Sequence, residues 1–272
     1  MAEFQPRHAR IVELARSDGA VTVEALAAHF GLAPQTIRRD LNELCAAGSL
    51  VRVHGGAVPP EAVEALGNAR NLAYDRRRLL AARAKRAIGR AAAALVPERA
   101  SLFINIGTTT EAVAQALAPR DGLLVVTNNI NVANILRLGG GSEVVIAGGM
   151  VRPADGGVVG EAAVEFIRQF KVDIAVIGTS AIDADGSLLD YDFREVSVAR
   201  AIMAGARRVI LVADGDKTRR AAPVRIARLT DVDVWVTDAS PPAALAELCA
   251  EEGVQVVVAD PLDPDGENGD DA

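Results

Sequence analysis

Aromatic residues and cysteines are scarce in this sequence of 272 residues. Only 3% of the residues are aromatic although 50% are hydrophobic, so we expect a core of Ala, Val, Leu and Ile. The two cysteines, Cys45 and Cys249, lie far apart and lack the spacing of metal ligands. We therefore expect two ordinary thiols in a reducing compartment, with no disulfide framework, no metal site and no cofactor.

Long apolar runs are also missing. No N-terminal stretch resembles a signal peptide, and no run reaches the roughly 18 apolar residues of a membrane span. We expect a cytoplasmic protein without a membrane partner. The net charge of −7 is uneven, because residues 1–57 hold six Arg and six acidic residues while residues 101–272 hold fourteen basic and twenty-six acidic ones. Such a neutral front end is compatible with contact to nucleic acid.

Residues 1–57 have the pattern of three helices followed by a ribbon. Thr22 can cap a second helix, which Gly31 ends, and Pro34 suits the first position of a third helix. A helix, a Gly-containing turn and a helix with polar N-terminal residues form the helix-turn-helix arrangement. Residues 49–57 then alternate, which predicts a hairpin wing. The apolar faces of the three helices are predicted from Ile11, Leu14, Ala15, Leu26, Ala27, Phe30, Ile37, Leu41 and Leu44.

Polar side chains at the start of the third helix would meet the major groove. Gln35 and Thr36 would contact bases or phosphates, and the arginines would contact phosphates or guanine. The open alternative is a small helical domain with a solvated charged face, and His54 fits a wing contact or a plain loop equally well. The predicted DNA-binding residues are Pro34, Gln35, Thr36, Arg38, Arg39, Arg52 and His54.

The rest of the chain predicts a linker at 58–75, an α/β domain at 76–260 and a disordered acidic tail at 261–272. A basic helix is expected over residues 74–96. Continuous Val, Ile and Leu runs then alternate with helical patterns, which is typical of a Rossmann-like, mainly parallel sheet with helices on both faces. The predicted strands are residues 101–106, 123–127, 143–147, 173–178, 209–213, 232–237 and 254–258.

Small and polar residues follow five of these strands, and ligands bind beyond the carboxyl ends of strands in such sheets. Gly107 and the predicted helix N-terminus that follows it would favour binding of an anion. The carboxylates and amides that follow other strands would bind the hydroxyl groups of a ligand. There is no P-loop and no G-x-G-x-x-G pattern after the first strand, so a small phosphorylated polyol fits better than a nucleotide. Taken alone, the threonines at this corner are equally read as helix caps. The predicted effector-binding residues are Gly107, Thr108, Thr109, Thr110, Asn128, Gly148, Gly149, Arg152, Asp155, Asp183, Asp185, Asp214, Lys217 and Arg220.

The segments "PQTIRRDLNEL" (34–44) and "HGGA" (54–57) closely resemble the signature of DeoR-type bacterial transcription repressors. The resemblance extends from about residue 7 to 258 and includes "IGTTTEAVAQAL", "VTNNINVAN", "AGGMVRPADGGVVGEA", "FIRQF" and "DADGSLLDYDFREV". It implies a winged helix-turn-helix joined to an effector domain similar to sugar-phosphate isomerase folds. The implied partners are operator DNA, a phosphorylated effector with glycerol 3-phosphate first, and further copies of the chain in a homo-dimer or homo-tetramer.

Two single positions and one short segment depart from the family pattern. Ala33 stands where Ser is usual, and Ala181 stands where Gly is usual. "DGDKTRR" (214–220) lacks the usual Ser before Lys217 and the usual Phe-Gly after it. The phosphate of the effector is therefore better specified than the rest of the ligand.

An enzyme is the main alternative to a sensor. A sugar-phosphate isomerase needs a base, for which Asp183, Asp185, Glu195 and Lys217 are candidates, whereas no histidine follows His54. The attached helix-turn-helix favours sensing, because a DNA module has no evident use on a metabolic enzyme. We therefore expect a repressor without catalytic residues, and a plain scaffold protein is the third possibility.

Overall fold

The computed structural model describes residues 6–18, 21–53, 56–59, 74 and 81–259. The chain divides into two compact units between Arg83 and Ala84. Most of the predicted linker, residues 75–80 of the predicted basic helix and the whole acidic tail lie outside the described residues. The predicted domain boundaries therefore stay predictions.

The first unit contains the three helices and the hairpin that the sequence predicts. They are α1 (Pro6–Asp18), α2 (Val23–Phe30), α3 (Pro34–Ala46) and the antiparallel strands β2 (Val51–Val53) and β3 (Gly56–Val58). A further strand, β1 (Val21–Thr22), pairs with β3. Two residues are too few to show alternation, so the sequence did not predict it. The helices bury Ile11, Ala15, Val23, Leu26, Ile37, Leu41 and Leu44 in one core.

The helix ends of this unit follow from single residues. The Thr22 side chain accepts a hydrogen bond of 3.1 Å from the Ala25 N–H, as an N-cap should. Ala33 occupies the N-cap of α3 and makes no side-chain cap. Gly56 lies so close to β1 that a Cβ there would fall 1.9 Å from the Val21 carbonyl oxygen. The pairing of β1 with β3 therefore requires glycine at this position.

The second unit is built on a seven-stranded sheet in the order β15-β14-β12-β9-β4-β5-β6, and every neighbouring pair is parallel. All seven predicted strands are present, so the predicted fold class is confirmed. The strands are β4 (Ser101–Ile104), β5 (Leu124–Thr127), β6 (Glu143–Ile146), β9 (Val172–Ile177), β12 (Ala206–Val212), β14 (Val234–Thr237) and β15 (Gln255–Val258).

Helices cover both faces of this sheet. One face packs against α4 (Ala82–Ala94), α5 (Thr108–Leu117) and α6 (Ile130–Gly139). The other face packs against α7 (Glu161–Ile167), α8 (Phe193–Ala204) and α9 (Ala243–Glu252). Successive residues of β4 serve opposite faces, since Leu102 and Ile104 join the first layer and Phe103 joins the second.

Short elements that the sequence did not predict complete the second unit. Strands β7 (Met150–Val151) and β8 (Val158–Val159) form an antiparallel ribbon. Strands β10 (Ala181–Ile182), β11 (Ser187–Asp190) and β13 (Val224–Arg228) form a small antiparallel sheet. Two 3-10 helices cover Gly215–Arg219 and Leu229–Asp231. Among the helices of the described ranges, none has the length and apolarity to cross a bilayer.

Candidate functional site

Helix α3 presents a polar, exposed face at its N-terminal end. Gln35, Arg38 and Arg39 are exposed there, whereas Ile37 and Leu41 on the opposite side are buried. Arg38 has no side-chain partner within the described residues. Among the described residues, Arg39 pairs only with Glu43 at 3.1 Å, an exposed pair that contributes little to stability. This face therefore has cations available for an anionic partner.

A buried charged group fixes α3 against α1. Arg7 donates two hydrogen bonds to the Asp40 carboxylate, at 2.7 and 2.9 Å, and His8 Nε2 lies 3.3 Å from Asp40 Oδ1. Burial raises the pKa of the Asp40 carboxyl, but the hydrogen bonds and charges of Arg7 and His8 outweigh it and leave that pKa below its ordinary value. Sequence reasoning missed this group, although a charged residue between Ile37 and Leu41 on an apolar stripe was its signal.

The remaining residues predicted to bind DNA are Pro34, Thr36, Arg52 and His54. Pro34 begins α3 and Thr36 is half-buried in its first turn. Arg52 lies in β2, and His54 lies outside the described residues. Their contacts with DNA stay predictions.

In the second unit, the sheet order locates a crevice. The chain runs from β4 to β5 and β6 on one side, then returns to β9 on the other side of β4. The connections after β4 and β9 therefore lie on opposite faces, and the carboxyl ends of these strands form a topological switch point. Ligands of open α/β sheets bind at such a point. The residues that follow the two strands here are Asn105–Gly107 and Gly178–Ser180.

The N-terminus of α5 forms one wall of this crevice. Gly107 precedes the helix with φ 153°, a backbone conformation that favours glycine, and it has no side chain to fill the space. The first N–H groups of a helix have no partners within the helix, and its dipole favours an anion there. The wall therefore has the chemistry of a phosphate-binding turn.

The three threonines of this wall have different roles. The Thr110 hydroxyl lies 2.8 Å from the carbonyl oxygens of both Asn105 and Gly107, so it stabilises the turn. Thr108 is half-exposed and Thr109 is buried, and neither hydroxyl has a partner within the described residues. No side chain caps α5, whose N-cap is Gly107, so Thr110 stabilises the turn without capping the helix and two hydroxyl groups are left for a ligand.

Asn105 connects the two sides of the switch point. Its side-chain Oδ1 accepts a hydrogen bond of 3.1 Å from the Gly178 N–H, and the residue is buried. Sequence reasoning missed Asn105, because the strand pattern was extended through it to Ile106. A polar residue inside an otherwise apolar run was the available signal.

Two buried acceptors without partners flank the crevice. Asn128 follows β5 and donates from Nδ2 to the Val158 carbonyl at 3.0 Å, but its Oδ1 is buried and unpaired. Asp214 follows β12, is 3% exposed, and its Oδ1 is also buried and unpaired. Because an unsatisfied buried polar atom costs about 1–3 kcal/mol, each oxygen calls for a donor such as a water or a ligand hydroxyl.

Other predicted residues border this edge at a greater distance from β4. Lys217 is half-buried in the 3-10 helix after Asp214, and Arg220 is exposed at its end. Gly148 and Gly149 follow β6. Strands β12 and β6 are each two positions from β4, which corresponds to roughly 10 Å.

Arg152 and Asp155, both predicted to bind the effector, are bound to each other. Arg152 donates to Asp155 at 2.6 and 2.8 Å, to Asp192 at 3.2 Å and to Glu195 at 2.5 Å. These contacts raise the pKa of the guanidinium, outweighing its burial. Three carboxylates thus occupy the donors of Arg152, and its predicted contact with an effector stays a prediction.

Asp183 and Asp185 are not brought to the crevice. They lie in the exposed turn between β10 and β11, where Asp185 Oδ1 accepts a hydrogen bond of 2.8 Å from the Ser187 N–H. Strand β13 pairs with β11, and the chain then runs through Leu229–Asp231 to the start of β14. The start of β14 lies at the end of the seven-stranded sheet that is opposite to the carboxyl ends of its strands. The turn adjoins this end, since the Leu229 N–H donates to the Gly186 carbonyl at 2.7 Å. The hairpin therefore places the two acids in this exposed turn, and their contact with an effector stays a prediction.

Comparison with known proteins agrees with this division into two parts. Residues 7–63 match the DeoR-like helix-turn-helix domain, and residues 80–239 match the DeoR C terminal sensor domain. The chain is 42% identical to the glycerol-3-phosphate regulon repressor of Escherichia coli (strain K12) over 250 residues, covering 92% of this chain and 97% of that protein. It is 47% identical to the repressor of the same name from Haemophilus influenzae, covering 85% and 88%.

Among solved structures, ribose 5 phosphate isomerase A from Neisseria gonorrhoeae aligns with a TM-score of 0.36 and 13% identity, covering 49% of this chain and 52% of that one. The sequence relatives span nearly the full length of both chains, and both family models match their expected units. The chain belongs to the DeoR family.

Proposed function

We propose that the chain is a DNA-binding transcriptional repressor whose hold on its operator is relieved by a small phosphorylated polyol or sugar, with glycerol 3-phosphate as the first candidate. The proposal of an effector rests on the crevice at the carboxyl ends of β4 and β9. It combines a helix N-terminus suited to phosphate with two buried oxygens that need hydrogen-bond donors. A phosphorylated polyol supplies both an anion and hydroxyl donors.

The phosphate and the hydroxyl groups of the ligand bind different walls of the crevice. The phosphate sits at Gly107–Thr109, where backbone N–H groups and the free hydroxyls of Thr108 and Thr109 donate to it. Lys217 adds positive charge from the β12 side. The Asp214 and Asn128 oxygens accept from the hydroxyl groups. Arg152 and Asp155 support the walls, and Arg220, Gly148 and Gly149 form the rim.

The DNA half rests on the exposed cations of α3. A winged helix-turn-helix places this helix in the major groove, and two copies are needed to occupy two half-sites. We propose that Arg38 and Arg39 contact operator phosphates or guanines, supported by Arg52 and His54 of the wing, and that the chain acts as a dimer or tetramer. Both relatives described above carry the word repressor in their names.

The chain acts as a regulator, and we propose that it turns over no substrate. An isomerase would need a base next to the bound sugar. Two of the acids considered for that task, Asp183 and Asp185, lie in the exposed turn between β10 and β11, and Glu195 is bound to Arg152. Incubation with triose, pentose and hexose phosphates tests this directly, and sustained turnover would contradict the proposal.

The main test is operator binding by the full chain, measured with the DNA flanking its own gene and titrated with glycerol 3-phosphate or glycerol. Glycerol 3-phosphate should weaken binding about 5- to 150-fold, the usual range of allosteric coupling, and glycerol should not. Asp214→Asn and Thr109→Val should abolish the response while leaving operator affinity unchanged. Arg38→Ala should do the reverse. Operator binding that ignores every phosphorylated polyol would overturn the effector half.

A further inference from the structure

Five charged side chains that the proposed function uses only as support meet beside the crevice. Arg152 lies in the turn between β7 and β8 and binds Asp155 of the same turn, together with Asp192 and Glu195 at the start of α8. Asp190 adds a further negative charge near Glu195. We call this set the Arg152 cluster. Its members come from two separate segments of the chain.

The Arg152 cluster joins the two walls of the crevice. On the β5 side, the turn is held to the start of α6, because the Ile130 N–H donates to the Gly156 carbonyl at 3.1 Å and Asn131 Nδ2 donates to the Asp155 carbonyl at 3.1 Å. On the β9 side, the Ser180 hydroxyl donates to Asp190 at 3.1 Å, two residues before Asp192. Strand β4 and Gly107 lie between these sides. Arg152 thus links segments that are attached on the two sides of β4.

The charges of this cluster do not balance. Arg152 binds three carboxylates, those of Asp155, Asp192 and Glu195, and the charge of Asp190 acts on Glu195. The more exposed Arg194 is bound to Asp192. The excess of negative charge acts on the carboxyl group of Glu195. Its burial and the charge of Asp190 raise the pKa of its carboxyl to about 7, against the lowering effect of Arg152. An added phosphate would raise that pKa further, since it brings more negative charge to the same edge.

We propose that Glu195 is a proton-linked residue of the sensor: a proton from the solvent binds a Glu195 carboxylate oxygen as the phosphorylated ligand enters the crevice, so that ligand affinity rises as the pH falls. This inference rests on the proposed function of the crevice. A neutral Glu195 leaves Arg152 with two carboxylates, which compensates for the incoming phosphate without moving the walls. Arg152 itself stays a positioning residue.

The test is calorimetric titration of the full chain with glycerol 3-phosphate at pH 7, in two buffers with different ionisation enthalpies. Wild type should take up as much as about half a proton per site, because Glu195 is half-protonated before binding. Glu195→Gln should abolish this uptake and bind more tightly than wild type at pH 8. A change of one unit in the Glu195 pKa on binding corresponds to about tenfold in affinity. Glu247→Gln, an exposed substitution on α9, is the matched control and should behave as wild type.

Titration of the ligand is separated from that of the protein in two ways. The second pKa of a phosphate monoester is about 6, and it contributes equally to wild type and Glu195→Gln. Inorganic sulfate, which has no pKa in this range, should show the same uptake difference. Asp190→Asn provides a second variant, and it should move the pH of maximal proton uptake to a lower value, because Glu195 then ionises more readily.

A readout without ligand is also available. Because the pKa of Glu195 is raised in the folded chain, wild type should lose stability relative to Glu195→Gln as the pH rises from 4.5 through 7. A stability difference that does not change with pH would overturn the inference. Ligand binding without a proton-uptake difference between the two proteins would also overturn it and would leave the proposed function intact. Absence of binding of glycerol 3-phosphate and sulfate at every pH would overturn both.

Discussion

The face of α3 and the crevice of the second unit use polar residues in opposite ways. On α3, Arg38 and Arg39 are exposed and have one weak partner between them. In the crevice, Arg152 is largely buried and bound to three carboxylates. A mobile exposed cation suits a long polyanion, whereas fixed buried groups discriminate between small ligands. The comparison therefore relates each kind of polar surface to a different kind of partner.

Salt should separate the two surfaces most strongly. Four arginine–phosphate contacts in a dimer would release counterions, so operator affinity should fall about 100-fold between 50 and 200 mM salt. Binding of glycerol 3-phosphate in the crevice should fall much less, because few condensed counterions are released. Fluorescence anisotropy for DNA and calorimetry for the ligand measure both dependences. Equal salt dependence at the two sites would contradict the distinction.

Asp40 tests whether α3 depends on a buried charge despite its exposed face. Asp40→Asn should lower the free energy of unfolding of the first unit by about 1.5–3 kcal/mol, because Arg7 and His8 lose a charged acceptor. Urea unfolding of the full chain measures the change. Glu43→Gln removes an exposed carboxylate from the same helix and should change the unfolding free energy by less than about 0.5 kcal/mol. An equal loss in both variants would show that the buried network has no special role.

Arg38 tests whether the exposed face of α3 contacts the operator. Arg38→Ala should weaken operator binding about tenfold, with stability and effector affinity unchanged, since its side chain has no partner within the described residues. Competition binding at one fixed salt concentration measures this. The control is Arg10→Ala, which removes an exposed arginine of α1 that pairs with Glu13. Similar losses from both substitutions would indicate a general charge effect.

The sequence predicted α3 well because its information is local. The spacing of Ile37, Leu41 and Leu44 determines which side is buried, and the exposed positions of Gln35 and Arg38 follow from the helical period. The seven parallel strands were likewise predicted from continuous apolar runs. The order of those strands was not predicted. The switch point between β4 and β9 was therefore not predicted either, because it depends on that order.

The crevice was predicted less completely because its contacts join distant segments. Arg152 was predicted to bind the effector, but the sequence did not show that two of its three carboxylate partners lie 40 and 43 residues further along the chain. The β10–β11 hairpin gives too weak a pattern to reveal where the chain reverses, so the turn that holds Asp183 and Asp185 was not predicted. By contrast, Asp214 and Asn128 directly follow strands, so the sequence was enough to bring them to the carboxyl edge.

The smallest expected effect concerns the cap of α3. Ala33 occupies the N-cap in an extended conformation and gives no side-chain hydrogen bond. Ala33→Ser should raise the free energy of unfolding by about 1 kcal/mol, because the serine oxygen can accept from an N–H of the first turn. Thermal unfolding measures the gain, and Ala33→Val, which has no acceptor, should give none. An unchanged stability in Ala33→Ser would mean that these N–H groups are already satisfied.

The most direct test of two separate, linked sites is reciprocity. The affinity for glycerol 3-phosphate is measured by calorimetry for the free chain and for the chain saturated with operator DNA. We predict that the operator weakens ligand binding by the same factor, between about 5 and 150, by which the ligand weakens operator binding. A ligand affinity that is identical with and without the operator would contradict the account.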